Sequence, residues 1–145
     1  MGKFLDERGD ESLGEWLKRN ITHNVFRVAM SFVDRDLAKI RAGLDKRMGR
    51  TIAQLQVRDP ELEITQHRAR QVYFEIIQPG GVSADAPLIM YLHGGGYCIG
   101  SAHAYRQVVT GFARKFGTRI ALVDYRLAPE NPFPAALDDA HSVYL

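Results

Sequence analysis

The sequence predicts an α/β protein, a doubly wound sheet of about four strands preceded by helices. Two observations carry that prediction. Near residue 62 the apolar spacing changes from the three-and-four rhythm of helices to the alternation of strands, and between Leu88 and Val123 the order is strand, glycine loop, helix, strand. Such a unit is the building block of doubly wound sheets. The chain has 145 residues, 46% of them hydrophobic, which is material for one ordinary domain rather than a disordered tail.

Composition excludes several function classes. Nineteen Lys and Arg stand against 17 Asp and Glu, a formal charge of only +2, so no basic footprint for nucleic acid emerges. One cysteine, Cys98, leaves no intramolecular disulfide and no cysteine metal cluster. The first residues lack an apolar signal core and no 18-residue apolar run follows, so the expectation is a cytoplasmic protein without a membrane span. No cofactor and no metal are expected.

The two halves differ in texture. Residues 1–70 hold 14 of the 19 basic residues, whereas residues 71–145 hold most glycines and five of the six prolines. Ser12 and Glu15 have capping-box spacing and open a helix with Leu13, Trp16, Leu17 and Ile21 on one face. A longer helix is predicted from about Asn24 to Met48, with Gly49 as a left-handed stop. Leu62 to Gln66 and Gln71 to Ile77 read as paired strands joined near His67-Arg68. Leu88–Leu92 and Ile120–Val123, short and apolar, read as strands buried on both faces. Between them Tyr105, Val108, Val109, Phe112, Ala113 and Phe116 form a helical stripe closed by Gly117. After a proline-rich turn, a last helix shows Ala136, Leu137, Ala140, Val143 and Tyr144 on one face. The domain boundaries expected are 1–56 for an N-terminal helical region and 57–145 for the core.

His93-Gly94-Gly95-Gly96 is where chemistry is expected. Three successive residues without Cβ, between a strand end and a helix, let the backbone turn several N–H groups one way and let a substrate come close. Donors fixed on a developing oxyanion stabilise a tetrahedral intermediate, and losing one typically costs about 2.7–4 kcal/mol of barrier. A phosphate cradle and a plain structural turn are the competing readings, although neither G-x-G-x-x-G with a following acid nor G-x-x-x-x-G-K-[ST] is present. His93 reads as a side chain that braces the loop.

His93-Gly94-Gly95-Gly96-Tyr97, Gly100-Ser101, Asp124-Tyr125-Arg126-Leu127-Ala128-Pro129-Glu130 and Pro132-Phe133-Pro134-Ala135-Ala136 resemble, in order and spacing, the hormone-sensitive-lipase-like esterases of the α/β-hydrolase fold. The resemblance covers roughly residues 57–145, the N-terminal half of that fold. It implies carboxylic-ester hydrolysis, with Gly95 and Gly96 as oxyanion donors supported by His93 and Gly94. Asp124, Tyr125, Arg126 and Glu130 are implied as support behind the loop, with Arg126 and Glu130 in buried hydrogen bonds. On the same grounds Ala128-Pro129 and Phe133-Pro134 are candidates for cis bonds. Tyr97, Trp16 and Phe26 are candidate pocket linings, and a small apolar ester is the implied substrate. The strand order implied for the first four strands is 1-2-4-3.

The same resemblance exposes an absence. Family members attack with a Ser on a G-x-S-x-G turn, followed by Asp and His. None of Ser12, Ser31, Ser83, Ser101 and Ser142 has Gly two residues away on both sides. The expectation is therefore a chain inactive alone, completed by a C-terminal fragment or self-associating through the open edge of Leu88–Leu92. A non-catalytic ligand-binding receptor of the same fold is the alternative. Gly96-Tyr97-Cys98-Ile99-Gly100 matches G-x-C-x-G, but its first Gly does not directly follow the strand, and Cys98 reads better as a small buried residue under the loop.

Overall fold

The computed structural model describes residues 37–145. The Ser12–Glu15 capping box, the first half of the long predicted helix, and the candidates Trp16 and Phe26 lie outside the described residues. In chain order the elements are α1 (Leu37–Met48), α2 (Ile52–Arg58), β1 (Glu63–Ala69), β2 (Val72–Gln78), β3 (Leu88–Leu92), α3 (Ala102–Phe116), β4 (Arg119–Asp124) and α4 (Ala135–Tyr144). The four strands form one sheet in the order β1-β2-β4-β3, as the resemblance implied. β1 and β2 form an antiparallel hairpin, β2 runs antiparallel to β4, and β3 runs parallel to β4 through the crossover helix α3.

Three details here depart from the sequence reading. Helix α2 was not anticipated, although its capping box is legible: Gln54 N–H donates to Thr51 Oγ1 at 3.2 Å, and Thr51 N–H donates to Gln54 Oε1 at 3.0 Å. The hairpin turns at Arg70-Gln71 rather than His67-Arg68. Its distal part carries polar residues that pair across the strands, His67 stacked on Phe74 at 5.3 Å and the Arg68 guanidinium 4.9 Å over the Tyr73 ring. Such pairs extend a ladder after the apolar alternation has faded. Gly49 ends α1 without a left-handed conformation; it is needed because a Cβ there would lie 2.1 Å from the His103 imidazole. Gly117, by contrast, is the left-handed stop predicted for α3, with φ 58°.

Because successive strand residues face opposite ways, β4 feeds two cores. Ile120 and Leu122 pack with Leu55 of α2, Val109 and Ala113 of α3, and Leu62, Ile64 and Ile77. On the other face Val123 packs with Val72 and Tyr125 against Ala136 and Val143 of α4. β4 is thus buried on both faces, as predicted. β3 is not: Leu88, Ile89 and Leu92 are each 46% exposed, because β4 is its only strand neighbour among the described residues. α4 is also turned relative to its predicted face. Asp139 and Ala140 are buried, while Leu137 and Tyr144 are exposed.

Candidate active site at the glycine loop

Parallel pairing aligns the C-terminal ends of β3 and β4, Leu92 opposite Val123, so that the segments His93–Gly100 and Asp124–Glu130 emerge side by side. Ligands of open α/β sheets bind at such ends. The first loop is bent sharply on itself: Cys98 N–H and Ile99 N–H both donate to Gly95 O, at 3.1 Å each. A side chain at Gly95 could not be accommodated, since its φ is 130° and a Cβ would sit 2.0 Å from Ile99 O. Gly96 and Tyr97 follow with φ of 60° and 61°.

His93 lies beneath this bend, 4% exposed and stacked on Tyr125 with ring centroids 4.2 Å apart. Its Nδ1 faces Gly94 O at 3.0 Å, a donor position when the proton resides on Nδ1. Tyr125 hydroxyl donates to His93 O at 2.5 Å. Burial, with Tyr97 and Tyr105 nearby, pushes the Tyr125 phenol up to about 12, so it remains a neutral donor at physiological pH. His93 thus lies packed under the bend, its ring on Tyr125 and its carbonyl held by the Tyr125 hydroxyl.

Among the described residues, the amides of Gly94, Gly95 and Gly96 donate to no backbone or side-chain acceptor. These glycines line a cleft of about 570 Å³, walled chiefly by Leu92, Tyr125, Phe133, Pro134 and Leu137. Tyr97 also lines it and is 66% exposed, while its carbonyl accepts Ala128 N–H at 2.8 Å. The apolar wall and uncommitted donors suit a carbonyl compound with an apolar body.

The charged residues expected behind the loop are distributed differently. Tyr125 supports it directly. Asp124 instead accepts Ala102 N–H at 2.8 Å, helping to start α3. Arg126 turns away toward Asp139, donating from its backbone N at 2.8 Å and from Nη2 at 2.8 Å. Burial pushes the Asp139 carboxyl up, but the bonds from Arg126 outweigh it and hold the group below the usual carboxylate range. Glu130 is not in a buried hydrogen bond: its side chain is 57% exposed and paired with Arg41. It lies between the two proline bonds of this turn, Ala128-Pro129 and Phe133-Pro134, which are both cis as the resemblance suggested. The Arg41 bond holds the Glu130 carboxyl below its ordinary value.

Sequence reasoning missed Arg41. Its Nε donates to Cys98 O and its Nη2 to Ala128 O, both at 2.8 Å. A basic residue on a helix face carries no sequence mark of such contacts. One turn on, Asp45 accepts Ser101 Oγ at 2.5 Å, and Ser101 Oγ in turn accepts Ala104 N–H at 3.0 Å. Cys98 is partly exposed rather than buried under the loop. With Asp124 committed to α3 and His141 lining a separate depression beside Arg126, no triad forms around Cys98. Among the described residues no group of three His, Cys, Asp or Glu is placed to hold a metal, and no helix is long and apolar enough to cross a membrane.

A family model described as the alpha/beta hydrolase fold matches residues 89–145. Probable carboxylesterase 6 of Arabidopsis thaliana is 44% identical over 61 residues, 41% of this chain and 18% of that protein. The crystal structure of EstE5 soaked with p-nitrophenyl butyrate superposes with a TM-score of 0.63 at 31% identity, covering 74% of this chain and 34% of EstE5. A hormone-sensitive lipase from a metagenome library gives 0.61 at 34% identity, with the same coverage of 74% and 34%. The chain spans roughly a fifth of the length of the curated relatives it matches, 18% and 20% for the first two. With the strand order already in place, these matches show the α/β-hydrolase fold, and over the matched residues the chain is similar to the N-terminal part of hormone-sensitive-lipase-like esterases.

Proposed function

We propose that this chain supplies the oxyanion-stabilising half of a carboxylic-ester hydrolase. One observation carries the reading: the uncommitted amides of Gly95 and Gly96 lie on an apolar cleft at the end of β3. An ester entering the cleft places its acyl carbonyl against these amides. A serine oxygen then adds to the carbonyl carbon, and the charge that moves to the carbonyl oxygen is met by two fixed N–H donors. Collapse of the tetrahedral state expels the alcohol, and water hydrolyses the acyl-enzyme. No serine of this chain has the G-x-S-x-G setting, so the attacking group is read as coming from polypeptide outside these 145 residues. The exposed apolar edge of β3 suits an additional strand from that polypeptide, or failing it a second copy of this chain. Neither a metal nor an organic cofactor enters this chemistry, and the setting proposed is the cytoplasm. The substrate class is a small apolar ester, for which p-nitrophenyl butyrate, the compound soaked into EstE5, is a suitable probe.

Turnover of that ester is to be measured with this chain alone and with the serine-bearing polypeptide added. Activity only on addition is the expected result. Ligand binding without turnover in either case would overturn hydrolysis in favour of the receptor-like alternative.

A further inference from the structure

We infer that Arg41 is a positioning residue for the Gly95–Gly96 amides; the inference rests on the oxyanion reading above. The argument begins with strain. Gly95, Gly96 and Tyr97 have φ of 130°, 60° and 61° in succession, and Tyr97 is no glycine. A side-chain-bearing residue remains left-handed only where its surroundings over-determine it. Two contacts fix the peptide planes just after Gly96. Ala128 N–H holds Tyr97 O at 2.8 Å, and Arg41 Nε holds the next carbonyl, Cys98 O, at 2.8 Å. Arg41 also controls the first contact, because its Nη2 donates to Ala128 O at 2.8 Å. The far side of the guanidinium is occupied by both Glu130 carboxylate oxygens, at 2.9 Å each.

One planar fork thus ties α1, the glycine loop and the turn after β4. A lysine ammonium, a point charge with no rigid fork, cannot span the two carbonyls and the carboxylate together. Asp45, on the same face of α1 one turn later, holds Ser101 and so anchors the loop's other end. Glu130 is largely exposed, and exposed ion pairs contribute little to global stability. The consequence of losing Arg41 falls on the loop rather than on the fold.

The test uses wild type, Arg41→Lys and Arg41→Ala, each combined with the serine-bearing polypeptide, with p-nitrophenyl butyrate as substrate. Amide hydrogen exchange is followed in the same samples. Both variants are expected to lose roughly 10- to 100-fold in kcat, the effect of an ångström-scale misplacement, with KM within about twofold. Exchange should quicken over residues 93–101 and remain slow in β4. Millimolar guanidinium should restore turnover to Arg41→Ala, where methylammonium should not. Full activity of Arg41→Lys, unaltered exchange in the loop, faster exchange across β4 as well, or no rescue would each overturn the inference. An inactive wild-type combination would instead overturn the proposed function and this inference with it, a failure read from the wild-type arm alone.

Discussion

Replacing Tyr125 with Phe isolates one contact on which the loop rests. The phenol donates to His93 O at 2.5 Å, in a residue 6% exposed, while the ring stacks on the imidazole at 4.2 Å. Phe keeps the ring and the stack and removes only the donor. A buried carbonyl left without its partner costs about 1–3 kcal/mol. With a urea slope of roughly 2 kcal/mol/M for a small domain, the midpoint should fall by about 0.5–1.5 M. The assay is urea unfolding of the chain followed by far-ultraviolet circular dichroism. The pH dependence gives a second check. Burial raises the phenol from 10.0 to about 12, so the folded state disfavours its ionisation. The wild-type advantage should be fully present below pH 10 and should decline between about 10 and 12. A midpoint within about 0.2 M of wild type would refute the assignment of His93 O as a carbonyl dependent on Tyr125, because that shift is smaller than any buried unsatisfied acceptor allows.

Three other outcomes are expected. Gly95→Ala places a Cβ 2.0 Å from Ile99 O, so the completed enzyme should lose about 100- to 1,000-fold in kcat, measured with p-nitrophenyl butyrate. Asp139→Asn weakens the bonds to Arg126 around a carboxyl that is 1% exposed and held low, and should cost about 1–3 kcal/mol at neutral pH. Since the folded-state value is depressed, the wild-type contribution is present above the ordinary carboxylate range and disappears as pH falls through the lowered value; urea midpoints against pH should show that acid limb flattened in the variant. Ile89→Lys charges the open edge of β3 and should reduce self-association in light scattering without changing helicity.

What the sequence made legible follows from which forces were local. β4 could be read because Ile120–Val123 is apolar on both faces, and the backbone around it satisfies that pattern with one helix layer on each side. Leu88–Leu92 has the same apolar texture yet lies at an edge, because texture reports what a strand can bury and not which neighbours it has. The glycine loop was legible since Gly95 answers a steric demand of its own backbone. The partners of charged side chains were not, for a guanidinium reaches several ångströms and its acceptors are set by tertiary geometry. Arg126 was expected beside the loop with Glu130 and lies against Asp139 instead, while Arg41, 57 residues from Cys98, took the role beside the loop.

Two Arg–Glu pairs illustrate why the same chemistry has different consequences. Arg106 and Glu75 are 7% and 5% exposed, joined at 2.5 Å through Nη2 and at 2.6 Å through Nε, and Arg106 also donates to Arg50 O. Removing one member there strands an ion away from water, a loss of about 3–5 kcal/mol in buried pairs, so this bridge between β2 and α3 is bound up with folding itself. Arg41 and Glu130 leave the carboxylate largely in solvent, where screening by water makes the pair contribute little to stability. What distinguishes Arg41 is two further donors, directed at the carbonyl of Cys98, next to the left-handed Tyr97, and at that of Ala128, whose N–H holds Tyr97 O. Stability therefore resides under the sheet, and the half-buried Arg41 guanidinium acts on geometry at its rim. A site whose reactive groups are backbone amides needs that arrangement, since an amide cannot be aimed by choosing a side chain, only by fixing the peptide planes on either side of it.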